Sequence, residues 1–155
     1  MAGEQDEAGD PRRIDVELFI RHPTLKPAEI TAALGIEPLI VRGVGEPRRA
    51  PSGKLLGGTY ERTAWRHSIR YKLTEQWFAE KVTLLVDLLL PHRSFLTGLR
   101  ATGGETEIIV QFLGDGYLGD HVPVDTLVKM ADLQLDFGIE CFAVPQSDGL
   151  HRRVH

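Results

Sequence analysis

The sequence predicts an α+β domain, a two-layer sandwich in which a largely antiparallel sheet carries its helices on one face, in a ferredoxin-like or duplicated βαβ arrangement. Three observations lead there. A strand–helix–strand pattern occurs near each end of the chain, over residues 14–21, 27–34 and 39–44 and again over 106–113, 124–132 and 135–144. Most strand-like runs have one apolar and one polar side, as expected of a sheet covered on a single face. The helical segments carry one apolar stripe each, so they have one face to bury and the sheet is the surface available.

In residues 14–21, Ile14, Val16, Leu18 and Ile20 alternate with Asp15, Glu17, Phe19 and Arg21, the period of two that marks a half-buried strand. Pro23 breaks it. Pro27 suits a first helical position, where its missing N–H would be unpaired anyway. Ile30, Ala33 and Leu34 line that helix, and Gly35 fits the left-handed residue that closes it. A short strand follows near residues 39–44. Residues 45–62 are rich in Gly, Pro and Arg and read as a long irregular loop. In residues 63–73, Trp65, His67, Ile69, Tyr71 and Leu73 share the apolar side, while Arg66, Ser68, Arg70 and Lys72 share the polar one. Thr74 is the expected cap of the next helix. That helix buries Trp77, Phe78, Val82, Leu85, Leu88 and Leu89 and is ended or kinked by Pro91. A shorter helical piece follows, with Phe95, Leu96 and Leu99 inward, and Gly103-Gly104 stops it. Residues 106–113 are apolar enough for a central strand. Val124, Leu127, Val128 and Ala131 mark a further helix. The last strand places Leu135, Phe137, Ile139 and Cys141 on its inner side. We expect one domain over residues 14–144 between disordered tails, 1–13 and 145–155.

Length and composition are those of an ordinary globular chain: 155 residues, 42% hydrophobic and 26% charged. A single cysteine excludes an internal disulfide and suits a reducing compartment, so the expected location is the cytoplasm. No apolar run is expected to approach the roughly 20 residues of a membrane span, and no membrane partner is expected. The net charge of −4 is unevenly spread. Between Arg42 and Lys72, eight cations face only Glu46 and Glu61, an excess of +6 that leaves −10 on the remainder. A basic segment on an acidic body can recognise an anion, or it can pair with acidic strands of its own chain.

The chemistry-bearing motifs of common enzymes are absent. Gly43-Val44-Gly45 is followed by Arg48 where a dinucleotide fingerprint needs a third glycine, and Gly53-Lys54 is followed by Leu55 where a phosphate loop needs Ser or Thr. No G-x-S-x-G elbow is present. The six histidines are scattered without metal-ligand spacing, so neither a metal nor a cofactor is expected. Asp115, Asp120 and Asp125 lack the regularity of a calcium loop. Cys141 reads as a buried, inert thiol. His67, between Trp65 and Ile69, is the one candidate catalytic residue; its bland alternative is a core histidine bonded to backbone. The candidate binding residues are Phe19, Arg42, Arg66, Arg70 and Lys72. Phe19 is an aromatic on a charged face, a frequent mark of a contact surface. If the strands holding them are neighbours, Arg66 and Arg70 can instead pair with Asp15 and Glu17. With one aromatic, Tyr60, in the basic loop and an acidic remainder, nucleic acid is a poor match.

The stretch Glu29-Ile30-Thr31-Ala32-Ala33-Leu34-Gly35-Ile36-Glu37-Pro38, followed by Gly43 and by Trp65 after a Gly-rich segment, resembles the bacterial domain of unknown function family 4279. The resemblance spans residues 14 to about 144. Glu140-Cys141-Phe142 departs from the Asp-x-Tyr-like ending of that family. It implies a small cytosolic protein with no established activity. The expected function is a non-enzymatic protein-interaction or binding module acting through the open sheet face and the basic loop. A regulatory domain for a small anion near Arg42, Arg66 and Arg70 is the alternative, and an enzyme using His67 the third reading. An edge strand could also support a homo-oligomer.

Overall fold

The computed structural model describes residues 13–72, 77–114 and 119–142. Strand β1 (Arg13–His22) leads into helix α1 (Pro27–Leu34), then β2 (Ile40–Arg42), a two-stranded arm of β3 (Pro47–Arg49) and β4 (Leu55–Thr59), and β5 (Thr63–Lys72). Helix α2 (Phe78–Leu89), a 3-10 turn (Leu90–His92) and α3 (Arg93–Ala101) cross to β6 (Glu105–Leu113). Helix α4 (Val124–Asp132) and β7 (Asp136–Phe142) close the fold. The main sheet has the order β2-β5-β1-β6-β7. Its first three pairings are antiparallel and β6–β7 is parallel.

The order of β2, β5, β1 and β6 is that of a ferredoxin-like sheet, with α4 and β7 added at one edge. The two strand–helix–strand units are therefore not equivalent. In the first, β5 lies between β1 and β2; in the second, β6 and β7 are direct neighbours.

One face of the sheet meets the helices. Ile14, Val16, Leu18 and Ile20 of β1, Trp65 of β5, and Ile108 and Val110 of β6 join Ile30 and Leu34 of α1, Val82, Leu85, Val86 and Leu89 of α2, and Leu96 and Leu99 of α3 in one core. α1 begins at Pro27, its entry fixed by Lys26 N–H donating to Glu29 Oε2 at 2.7 Å, and ends at Gly35 with φ +65°. The expected cap Thr74 lies outside the described residues. At that end of α2, Asp120 Oδ2 accepts from Ala79 N–H at 3.0 Å.

Several expectations are corrected. Residues 47–59 are not an irregular loop but the β3–β4 hairpin, held at its base by Gly45 N–H to Tyr60 O (2.8 Å) and Tyr60 N–H to Glu46 O (3.0 Å). Ile69 is 38% exposed, because β5 runs past β2, which pairs only as far as Arg66. Cys141 is exposed, not buried: β7 is an edge strand whose helix-side residues, Phe137 and Ile139, also reach solvent. Trp77, Leu88, Leu127 and Val128, assigned inward by periodicity, are exposed as well. The helical run Phe78–Ala101 is long and apolar enough, by length and composition, to cross a membrane. Here its Phe78, Val82, Leu85, Val86 and Leu89 face the sheet.

Candidate functional site

The face of the sheet away from the helices carries Asp15, Glu17, Phe19 and Arg21 in its middle strand. Opposite them in β5 stand Arg70, Ser68, Arg66 and Ala64, and in β6 Gln111, Ile109, Glu107 and Glu105. With no helix above it among the described residues, this face still buries two carboxylates, Asp15 and Glu17. Arg70 Nε and Nη2 each donate to Asp15 at 2.7 Å, a bidentate pair. Arg66 Nε lies 3.4 Å from Glu17 Oε2. That oxygen has no hydrogen-bond partner among the described residues. Burial raises the Glu17 carboxyl above its ordinary value, opposed by the Arg66 charge and the Ser68 hydroxyl.

The Phe19 ring is stacked against two guanidinium groups, with Arg21 Cζ 4.2 Å and Arg66 Cζ 4.6 Å from its centroid. Arg21 in turn reaches Glu105 at 3.0 Å and Glu107 at 3.5 Å. Phe19 is thus half covered by arginines. It forms one wall of a hollow of about 100 Å³, completed by Ile40, Arg42, Ala64 and Arg66.

Arg42 and Ile40 also line a larger cleft of about 570 Å³ between β2 and the arm, with Val41, Pro47, Arg49 and Tyr60. Arg42 Cζ stands 5.7 Å from the Tyr60 ring centroid. Arg49 donates to Gly53 O at 3.1 Å. The Glu46 carboxylate is turned back to accept from Gly43 N–H at 3.1 Å. No Cβ fits on Gly43 without displacing that carboxylate. Among the described residues Arg42, Arg48, Arg49 and Lys54 reach no carboxylate, whereas Arg21, Arg62, Arg66 and Arg70 all do.

The structure therefore divides the five residues that the sequence singled out. Phe19, Arg42 and Arg66 meet around the small hollow. Arg70 lies four residues along β5 and is spent on Asp15, and Lys72 sits at the far end of β5 opposite Arg13. His67 is half-buried, and its Nδ1 is 2.9 Å from Glu37 O, the backbone-bonded role. No group of three or more metal-ligating side chains occurs among the described residues.

Sequence reasoning missed Arg49 and Tyr60 as parts of one cleft, because an irregular loop gives no pairing from which proximity follows. It also missed His22, which is 3% exposed. Its Nδ1 accepts from Thr24 N–H (3.1 Å) and Leu25 N–H (2.9 Å), which leaves Nε2–H to donate to Thr102 Oγ1 at 2.8 Å. Burial, reinforced by the Arg62 charge, lowers its affinity for a proton.

Comparison with known proteins returns one family, described as a domain of unknown function (DUF4279), whose model matches residues 12–141. Neither the curated proteins nor the solved structures yield a match.

Proposed function

The chain belongs to the DUF4279 family, whose membership carries no activity with it, and on that premise we propose that it is a non-enzymatic module that binds a protein partner at the corner between β2 and the arm. One observation carries this reading. Arg21, Arg66 and Arg70 of the sheet meet the fold's own carboxylates, whereas, among the described residues, Arg42 at the sheet edge and Arg48, Arg49 and Lys54 of the arm face solvent without one. The same corner exposes aliphatic surface: Leu39, Ile40 and Val41 on one side, Leu55 and Leu56 on the other. Aliphatic side chains ringed by unpaired cations suit a partner surface that is apolar at its centre and acidic at its rim. The test is co-purification from the native source. Proteins retained by the wild type should be lost with the double variant Arg42→Glu/Arg49→Glu and kept with Glu80→Gln on α2. Loss with both variants, or with neither, defeats the reading.

The anion-binding alternative keeps one observation in its favour, since Arg42 and Arg49 line the same cleft. Titration with inorganic phosphate, followed by the melting temperature, separates the two. Stabilisation that disappears in Arg42→Ala supports a small anion, and an unchanged melting temperature counts against it.

A further inference from the structure

We propose that β2 is an acceptor edge: an extended, acidic segment of the partner adds to it as a sixth strand of the main sheet, lying in the cleft between β2 and the arm. This rests on the binding-module reading and specifies its mode and its ligand chemistry.

β2 is the last strand on its side of the sheet. Among the described residues, no backbone group of Ile40, Val41 or Arg42 bonds to anything beyond the β2–β5 ladder. An edge of that kind is a template for another strand. The residues around it repeat the two-sided pattern that an added strand needs, because successive side chains of a strand point to opposite faces. On the open face, Ile40 and Arg42 border the hollow formed with Phe19 and Ala64. On the helix side, Val41 borders a groove of about 720 Å³ with Pro27, Ala28 and Ala32 of α1. The 570 Å³ cleft runs along the edge between them. Main-chain bonds would give affinity, and alternate side chains entering the two hollows would give specificity.

Charge chooses the occupant. The cleft is lined by Arg42 and Arg49, and the carboxylate of Glu46, which also lines it, accepts from Gly43 N–H. A second copy of this chain, paired edge to edge about a two-fold axis, would set Arg42 and the basic arm against their own images, which like charges oppose. A segment with aliphatic residues at alternate positions, entering the helix-side groove beside Val41, and Asp or Glu between them, entering the open-face hollow beside Arg42 and Arg66, meets both sides of the edge.

The experiment is a selection of displayed random dodecapeptides on the full chain, followed by synthesis of the enriched sequence with N-methyl groups on its amides. Enriched peptides should be acidic with aliphatic residues in alternation. N-methylation of one alternate set of amides should weaken binding about tenfold or more, since several hydrogen bonds are removed. N-methylation of the other set should leave binding nearly unchanged, because an added strand bonds through one edge only. Arg42→Glu/Arg49→Glu should abolish the preference for acidic sequences. Peptides that compete at this corner but respond equally to both methylation sets overturn strand addition and leave the module reading intact. Peptides that bind elsewhere, or no enrichment, overturn the proposal, while the co-purification comparison decides the module reading on its own.

Discussion

Thr63 is where the frame and the proposed surface are tied together, and its hydroxyl is the atom to remove. The residue is 0% exposed at the first position of β5. Its Oγ1 donates to Leu25 O at 2.6 Å, in the segment before α1, and accepts from Val44 N–H at 3.0 Å, just beyond β2. Thr63→Val keeps the shape and the β-branched backbone preference and deletes both bonds. Each bond contributes about 1 kcal/mol net, and stranding a half-buried carbonyl and amide adds a similar amount again, giving about 3 kcal/mol in all. For a domain of this size that is about 6–12 °C in melting temperature. Thr63→Ser keeps the hydroxyl and loses a buried methyl, a cost of about 1 kcal/mol. Urea unfolding, with slopes unchanged, should therefore rank wild type above Ser and Ser above Val. A valine variant as stable as the serine variant would refute the claim that this hydroxyl fastens the base of the arm to the core.

Three other outcomes follow from the same structure. Because burial raises the folded-state Glu17 carboxyl above its ordinary 4.5, the stability it contributes is complete below that value and lost as pH rises through the folded one; Glu17→Gln should thus gain stability relative to wild type as pH rises above 4.5, and urea midpoints that show no such relative gain would count against it. His22 works the other way: its folded-state value is lowered, so its contribution is present above 6.5 and lost as pH falls through the lowered value, and His22→Gln should flatten the wild-type decline in melting temperature below that pH. Replacing residues 47–59 by Asn-Gly, which joins Glu46 to Tyr60 through a two-residue turn, should leave the far-ultraviolet circular dichroism of the main domain and shift the melting temperature by only a few degrees while abolishing partner capture; unfolding of the shortened chain would show that the arm is part of the core.

What could be read from the sequence depended on whether a residue's surroundings were local. The alternation of β1 was decisive, since both neighbours of that strand are long and the helices cover its inner side completely. Pro27 and Gly35 marked both ends of α1 for reasons of backbone geometry alone, and both stand where expected. Alternation failed at Ile69 and Cys141 because it reports which face a side chain points to and not whether anything covers that face. Coverage depends on how far β2 and the helices extend, which is a property of the assembled sheet. Periodicity likewise assigned Leu88 and Val128 inward from stripes wider than the surface available to bury them. At the site, the cross-strand pairing of Asp15 with Arg70 was legible once β1 and β5 were taken as neighbours. The meeting of Arg42 with Arg49 and Tyr60 was not, since it requires the hairpin register of an arm rich in glycine and proline.

The residues that make the family recognisable turn out to be the ones that hold this corner in place. Glu29 fixes the entry of α1, Ile30 and Leu34 are buried in the core, and Gly35 ends the helix. Thr31 Oγ1 accepts from Trp65 Nε1 at 3.0 Å, which locks α1 to β5 through the largest fully buried side chain. Gly43 leaves room for the Glu46 carboxylate at the foot of the arm. None of these side chains faces the cleft between β2 and the arm except Glu46, and its carboxylate is turned toward backbone. The signature therefore fixes a position, an open edge beside a projecting hairpin, and is silent about what the hairpin carries. The arm's strands are exposed along their whole length, so changes of charge or apolar content there cost the fold little. A scaffold of this kind can keep its frame while its ligand preference changes. That is the physical reason the family match comes with a fold and no chemistry: the recognisable residues and those of the proposed surface are different sets, joined through Thr63 and Gly43.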